Sequence, residues 1–194
     1  MTDNIKINSE SKLKDFIYII DNVLQEKVCD LIIKEYKDTE WSDALISRNI
    51  KNNDVRNCKN INISDISIIN HNESFRKYLD NEVFNSVGIV INEIFNKFGA
   101  STEKDSGYQL LKYEEGGFYK EHIDTSSIIN NRRFSCSFNL NDDYGGGEFS
   151  FFNDEIRYKI KKGSAIIFPS NNLFPHQILP ITKGTRYSIV TWIC

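Results

Sequence analysis

The sequence has few of the residues from which disulfides, zinc sites and histidine clusters are built. Its 194 residues include four cysteines and three histidines. The cysteines are widely scattered, and their spacing matches neither a zinc knuckle nor a redox dithiol, so free thiols are expected. Because histidine is so scarce, the chain has very few ways to build a histidine-dependent metal site.

The sequence also lacks a long apolar run and an excess of positive charge. No apolar stretch approaches the roughly 20 residues that span a bilayer, and Met1–Asn4 does not begin a signal peptide. A cytoplasmic protein with no membrane partner is therefore expected. The formal net charge is −3 and the pI about 5.7, which argues against bulk nucleic-acid binding because the acidic residues outnumber the basic ones.

The composition that is present is that of an ordinary globular protein, with 40% hydrophobic and 26% charged residues. A β-branched and aromatic run predicts a strand at Phe16–Ile20. Apolar residues at helical spacing predict helices at Gln25–Tyr36 and Glu73–Phe98, the second ending at Gly99. The polar stretch 40–72 predicts loops with short irregular elements.

Beyond Gly107 the pattern changes to short alternating runs separated by glycines, which is typical of a small antiparallel sandwich or barrel. The predicted strands are Tyr108–Tyr113, Phe134–Leu140, Gly147–Phe152, Ile156–Ile160, Ser164–Phe168 and Thr185–Ile193. The length predicts one domain over residues 1–194. In this domain, residues 1–107 supply a strand and helices that support a β core formed by residues 108–194.

Two histidines and an aspartate give the first indication of chemistry. His122 and Asp124 are two residues apart, so an extended backbone projects both side chains to one side. His176, which follows Phe174 and Pro175, is the candidate third ligand. Two imidazoles and one carboxylate on one face of a metal are the ligand set of non-haem iron(II) oxygenases. Alone, the H-x-D pattern is weak, and a hydrogen-bonded surface pair is the alternative.

An arginine in the last predicted strand adds to this interpretation. Arg186, Ser188, Val190 and Trp192 alternate along the strand and therefore share one face. A charge inside a barrel is costly unless it is paired, so Arg186 needs an anionic partner such as a carboxylate ligand. An ordinary surface ion pair at a sheet edge is the alternative.

The second half of the chain resembles the 2-oxoglutarate- and iron(II)-dependent oxygenases of the prolyl 4-hydroxylase type. The motifs that carry the resemblance are Gln109–Asp124, Phe138–Asp143 with Gly145–Glu148, Lys161–Phe168 and His176–Trp192. The resemblance implies a double-stranded β-helix, of the jelly-roll or cupin-like kind, with helices on one side. The fold class is then mainly β with flanking helices.

The resemblance also implies roles for individual residues. His122, Asp124 and His176 would bind Fe(II), Arg186 would pair with the distal carboxylate of 2-oxoglutarate, and Tyr113 would help to hold that carboxylate. Tyr119, Arg133 and Trp192 are candidate substrate contacts, with packing or surface roles as the alternative. Prolyl 4-hydroxylases often carry lysine at the position of Arg186, which leaves 2-oxoglutarate in place but puts a proline substrate in question.

The function implied is hydroxylation of a C–H bond with 2-oxoglutarate and O2, releasing succinate and CO2, with ascorbate as a reductant. A prolyl or other side chain of a protein or peptide is the first substrate class. The alternatives are a free amino acid or other small molecule, and a non-catalytic cupin-like module that binds a metal or ligand. Repair of alkylated nucleic acid is disfavoured by the acidic charge balance. Substrate recognition is expected from residues 40–72 and from Thr125–Arg132.

Overall fold

The computed structural model describes residues 12–46, 50–64, 73–102, 104–125 and 131–194. In this part of the chain the helices are a 3-10 turn at Leu13–Phe16, α1 (Glu26–Tyr36) and α2 (Glu73–Phe98). The strands are β1 (Tyr18–Ile20), β2 (Ser42–Asp43), β3 (Arg56–Asn57), β4 (Lys59–Asn62), β5 (Gln109–Tyr113), β6 (Phe118–His122), β7 (Phe134–Asn139), β8 (Gly145–Gly146), β9 (Phe149–Phe151), β10 (Ile156–Tyr158), β11 (Ala165–Pro169), β12 (His176–Ile178), β13 (Ile181–Lys183) and β14 (Arg186–Ile193).

The strands form two principal antiparallel sheets. The larger sheet has the order β1-β11-β7-β14-β5-β4-β2, and the smaller has the order β10-β9-β12-β6-β3. The short strands β8 and β13 pair separately. Buried side chains of β5 and β11 in the larger sheet join those of β9 and β12 in the smaller sheet in one apolar cluster, so the two sheets pack face to face.

The two helices cover the outer face of the larger sheet. Val28, Ile32, Leu79 and Val83 belong to the same buried cluster as Ile189 on β14. The long helix α2 has the predicted bounds, because one stripe of apolar residues holds it to the sheet and Gly99, with φ +64°, ends it in the left-handed region.

Strand β7 shows how this layering uses an alternating sequence. All six of its residues are buried, although three of them are polar. Phe134, Cys136 and Phe138 face the helices, whereas Ser135 and Ser137 face the space between the sheets. The polar positions, which in a one-sided sheet would meet water, therefore line an internal cavity.

Most strand predictions are confirmed to within two residues at each end, although the first predicted strand begins only at Tyr18, after the 3-10 turn. Beyond Gly107, four described strands were not predicted: β6, β8, β12 and β13. The polar segment 40–72 contains the short strands β2, β3 and β4 in its described part. Residues 47–49, 65–72 and 126–130 of the two predicted recognition segments lie outside the described residues, as does His71. Neither described helix has the length and apolar character needed to cross a membrane.

Candidate active site

A cavity of about 450 Å³ lies between the two sheets. Its walls come from the strands of both sheets, from the segment around β2 and β3, and from the turns that follow β6. The residues that bear on its chemistry are Asp43, Arg56, Tyr113, Tyr119, His122, Asp124, Arg132, Ser135, Ser137, His176, Arg186, Ser188 and Trp192. Seven of the eight residues singled out from the sequence line this cavity.

The two histidines are placed by strand pairing. His122 ends β6 and His176 begins β12, and their Cα atoms are direct partners across the antiparallel ladder. The Nδ1 atom of His122 lies 2.9 Å from the carbonyl oxygen of Lys120, and that of His176 lies 3.1 Å from the carbonyl oxygen of Phe174. A proton on Nδ1 satisfies each contact, which leaves Nε2 of each ring free to bind a metal.

Asp124 completes the cluster from the bend that follows β6. Its two carboxylate oxygens lie 3.6 Å from the Nε2 atoms of His122 and His176 respectively. One ligand atom from each of these residues can be chosen so that all three lie within 4.8 Å of one another. Ser135 donates a 2.6 Å hydrogen bond to Asp124, and its hydroxyl lies 2.7 Å from that of Ser170, which fixes the orientation of the carboxylate.

The electrostatics of the cluster favour the ligand forms of these side chains. Burial, reinforced by the nearby His176, lowers the pKa of His122, so its imidazole is neutral near pH 7. Burial alone would raise the pKa of Asp124, but the two histidines and the hydrogen bond from Ser135 outweigh it and the pKa is lowered. A neutral imidazole and an ionised carboxylate are the states in which these groups bind metal.

Arg186 lies in the same cavity and is 1% exposed. Its Nε donates to the hydroxyl of Tyr144 at 3.2 Å, and its guanidinium carbon lies 5.4 Å from the ring centre of Phe149 and 5.5 Å from that of Tyr113. Within the described residues, no carboxylate lies within 4.0 Å of it. A buried guanidinium without an anionic neighbour is costly, so an anionic ligand is the partner that this position requires.

Two buried hydroxyls in the cavity wall point to the same conclusion. Ser137 and Ser188 have no hydrogen-bond partner among the described residues, and both line the cavity. Buried polar atoms are normally satisfied, so these hydroxyls fit a ligand with acceptor oxygens. A dicarboxylate such as 2-oxoglutarate would supply a negative charge beside Arg186 and acceptor oxygens for the buried hydroxyls.

The predicted tyrosines and tryptophan also face the cavity. Tyr113 is the Cα partner of Arg186 across β5 and β14, and burial raises the pKa of its phenol, which stays protonated as a donor. The ring of Tyr119 stacks on His122 with 3.5 Å between ring centres. The guanidinium carbon of Arg132 lies over the ring of Trp192, 3.4 Å from the centre of that ring.

Arg133, the remaining predicted substrate contact, does not face the cavity. Its side chain is exposed and donates to the carbonyl oxygen of Ser101 at 3.0 Å. The neighbouring Arg132 lines the cavity instead, and donates to the carbonyl oxygen of Asp124 at 2.9 Å. A shift of one residue in an extended segment moves a side chain to the opposite face, and the sequence does not fix that register.

Five residues of this region were not predicted from the sequence: Arg56, Arg132, Ser135, Ser137 and Tyr144. Ser135 and Ser137 had a usable signal, because they are polar positions on an alternating strand. Tyr144 and Arg56 lie in segments without periodicity, and no sequence signal identified them.

Two facing antiparallel sheets around a cavity that holds a His-Asp-His cluster define the class of double-stranded β-helix proteins with a metal centre. Residues 108–194 match the family model of the 2OG-Fe(II) oxygenase superfamily. The chain is 30% identical over 109 residues to a PKHD-type hydroxylase of Prochlorococcus marinus (strain MIT 9215), covering 54% of this chain and 48% of that relative.

Two solved structures show the same fold. A prolyl hydroxylase of Trichoplax adhaerens, in complex with a hypoxia inducible factor peptide fragment, has a TM-score of 0.70 at 20% identity, covering 92% of this chain and 83% of the other. The viral collagen prolyl hydroxylase of Paramecium Bursaria Chlorella virus-1, in its 2OG complex, has a TM-score of 0.67 at 20% identity, covering 92% and 95%. The predicted mainly β double-stranded β-helix with flanking helices is confirmed.

The predicted resemblance to 2-oxoglutarate- and iron(II)-dependent oxygenases of the prolyl 4-hydroxylase type is likewise confirmed. Fe(II) and 2-oxoglutarate are the cofactor and co-substrate that this family and the His-Asp-His cluster imply. The chain spans about half the length, or less, of the curated relatives it matches.

Proposed function

We propose that this protein is a 2-oxoglutarate- and Fe(II)-dependent dioxygenase that hydroxylates a C–H bond and releases succinate and CO2. One observation carries the proposal. The cavity that holds the His-Asp-His cluster also holds Arg186, a buried guanidinium without a carboxylate neighbour among the described residues. A module that only bound a metal would have no need for this second, anion-seeking group.

In this proposal His122, Asp124 and His176 would hold Fe(II), while Arg186 and Tyr113 would hold the distal carboxylate of 2-oxoglutarate. The hydroxyls of Ser137 and Ser188 lie on the same wall and are available as further donors. Bound iron and 2-oxoglutarate supply the oxidising chemistry with O2.

The remaining work is done by residues of the chain itself. The fork of Arg186 matches a carboxylate with two hydrogen bonds and so orients the co-substrate. Ser135 holds the carboxylate of Asp124 in place. Phe149 and Phe168 exclude water from the wall beside His176, with ring centres 6.4 Å and 4.6 Å from its imidazole. Because Asp124 supplies a carboxylate ligand, hydroxylation is proposed in preference to halogenation.

The substrate that we propose first is a prolyl or other side chain of a protein or peptide. The support is the similarity to hydroxylases, one of which was solved with a peptide fragment. Tyr119, Trp192 and Arg132 line the cavity near the metal cluster and are the proposed substrate contacts. A free amino acid or other small molecule is the second candidate.

We further propose that residues 1–107 support a catalytic core of residues 108–194 within one domain.

The test is to load the purified protein anaerobically with Fe(II), add 2-oxoglutarate, and then admit O2 while succinate is measured. We expect one iron per chain and slow succinate formation without a primary substrate. Proline-containing peptides and free amino acids are then screened for faster turnover and for a mass increase of one oxygen atom. A protein that binds iron but neither binds nor consumes 2-oxoglutarate would be a cupin-like binding module.

A further inference from the structure

A further arginine, Arg56, lines the cavity and belongs to the part of the chain that the family model does not match. It lies on β3, where its Cα is the partner of Tyr119 on β6. Its guanidinium carbon lies 4.6 Å from the ring centre of Tyr119, whose ring in turn stacks on His122 at 3.5 Å. The ring of Tyr119 therefore lies between the guanidinium of Arg56 and the imidazole of His122, a proposed iron ligand.

The hydrogen-bond partners of Arg56 are neutral. Its Nε donates to the sulfur of Cys58 at 3.3 Å, and one Nη donates to the carbonyl oxygen of Leu45 at 3.0 Å. In the part of the chain that the structure describes, no carboxylate lies within 4.0 Å of it. A guanidinium has five N–H donors, so most of its donor capacity remains available to a ligand.

The charges around the cavity show which ligand would use that capacity. The described carboxylates in the wall are Asp43 and Asp124. Asp43 forms ion pairs with Lys51 and Lys59, and Asp124 faces the two histidines. With Arg186 assigned to the co-substrate, Arg56 and Arg132 are the arginines of the described wall that have no carboxylate within 4.0 Å. The described residues on the substrate side of the cavity are thus positive, although the whole chain carries a net charge of −3.

Of these two arginines, Arg132 is engaged with the proposed metal site itself, because it stacks on Trp192 and donates to the carbonyl oxygen of Asp124 at 2.9 Å. Within the described residues, the two hydrogen bonds of Arg56 go to Cys58 and to the carbonyl oxygen of Leu45, and its guanidinium lies over the ring of Tyr119 in the cavity wall. An anion can therefore bind to Arg56 without disturbing Asp124. A guanidinium fork held by an aromatic ring is suited to carboxylates.

We propose that the primary substrate carries a carboxylate and that Arg56 binds this group, which makes Arg56 a specificity-determining residue. This inference rests on the proposed function, since it needs the 2-oxoglutarate site to be occupied separately by Arg186. The carboxylate belongs either to a free acid, such as an amino acid, or to an acidic residue of a peptide. A primary substrate with only neutral groups near the oxidised carbon does not use this site.

The experiment uses the full chain, anaerobic, with Fe(II) and saturating 2-oxoglutarate, and follows the visible absorption band of that complex. Three matched pairs are titrated: acetate and acetamide, L-proline and L-prolinamide, and the blocked tripeptides Ala-Pro-Asp and Ala-Pro-Asn. The first two pairs represent free acids, and the third represents an acidic peptide. We expect the carboxylate member of at least one pair to shift the band at a concentration tenfold or more below its amide.

Substitutions of Arg56 test whether this residue causes the preference for the carboxylate probe. Arg56→Gln should remove it, whereas Arg56→Lys, which keeps the charge but not the fork, should retain part of it. Arg157→Gln is the matched control, because Arg157 is an exposed arginine paired with Asp154 outside the cavity, and it should keep the full preference.

Each other outcome counts against a defined claim. If the band never forms, the proposed oxygenase site itself is wrong. If the band forms but no carboxylate is preferred in any pair, or the preference survives in Arg56→Gln, the assignment of Arg56 is overturned while the oxygenase proposal stands. If a probe abolishes the band instead of shifting it, the probe competes with 2-oxoglutarate at Arg186, which also contradicts a separate carboxylate site.

Discussion

His122 and His176 occupy directly opposed positions on the antiparallel strands β6 and β12, with ring centres 4.3 Å apart. The sheet ladder therefore sets the spacing of the two imidazoles. Asp124 lies two residues after His122, in the bend that follows β6, and is the third residue of the cluster. The proposed metal site would be pre-organised, because the two imidazoles cannot separate without breaking strand pairing.

Removal of any one of these side chains should abolish tight iron binding. We expect His122→Ala and Asp124→Ala to bind much less than one Fe(II) per chain and to form no succinate, since a facial set of three ligands loses a third of its donors. Iron content after gel filtration and succinate yield are the measurements. His71→Ala, which changes the remaining histidine of the chain, is the control, and full activity in either ligand variant would refute the assignment.

The hydrogen bond from Ser135 to Asp124 should tune iron affinity without altering the ligand set. Partners that orient a ligand typically contribute about 10- to 100-fold in metal affinity, so Ser135→Ala should weaken Fe(II) binding by roughly that factor. Competition with a metal-sensitive dye measures it. Ser164→Ala is a matched control, because Ser164 is also buried and donates to an aspartate, Asp21, away from the cavity. Equal iron affinity in the two variants would mean that Ser135 only fills space.

The sequence predicted those parts of the molecule in which periodicity or a motif dominates. Helix α2 was placed correctly because its apolar residues recur at helical spacing and the pattern ends at a glycine. The side of β14 that bears Arg186, Ser188 and Trp192 was placed correctly because alternation has a period of two. Strand β6 was missed because its middle residues, such as Lys120 and Glu121, are polar and exposed, and thus give no apolar signal.

The residues that the sequence could not identify depend on tertiary placement. Tyr144 reaches Arg186 from a turn 42 positions earlier in the chain. Arg56 reaches the cavity through the pairing of β3 with β6, two short strands from distant segments. Arg132, and not the predicted Arg133, lines the cavity, because a shift of one residue along the segment changes which side chain points inward. Such contacts between distant segments have no local pattern.

Gly146 should be required for the pairing of strand β8 with strand β13. It has φ +71°, and a Cβ added there would lie 2.2 Å from the carbonyl oxygen of Pro180. We expect Gly146→Ala to lower the free energy of unfolding by about 1–3 kcal/mol more than backbone strain alone. Gly99→Ala isolates the strain, because Gly99 has φ +64° and open space around its Cβ position. Urea denaturation should therefore show a larger loss for Gly146→Ala, and equal losses would contradict the predicted clash.

Arg186 should recognise 2-oxoglutarate by shape as well as by charge. Arg186→Lys keeps the charge but loses the planar fork, and should weaken 2-oxoglutarate binding by about 1–3 kcal/mol. Arg186→Ala should weaken it further while iron binding survives. Calorimetric titration of 2-oxoglutarate into the anaerobic Fe(II) protein separates these cases. Arg133→Ala, which removes an exposed arginine outside the cavity, is the control. Unchanged affinity in the alanine variant at Arg186 would place the carboxylate anchor elsewhere.

Tyr144 should act on 2-oxoglutarate through Arg186. Its hydroxyl accepts from Nε of Arg186 and donates to Oδ1 of Asn139, both at 3.2 Å, so it fixes the plane of the guanidinium. Tyr144→Phe keeps the buried ring but loses these bonds, and should raise the dissociation constant of 2-oxoglutarate by a factor of roughly 2 to 10. Iron affinity should not change, because none of the proposed metal-binding side chains is altered. Tyr158→Phe is the control, since Tyr158 packs against Phe151 outside the cavity. If iron and 2-oxoglutarate affinities fall together in Tyr144→Phe, the hydroxyl supports the fold of the site as a whole; if only the 2-oxoglutarate affinity falls, it positions Arg186.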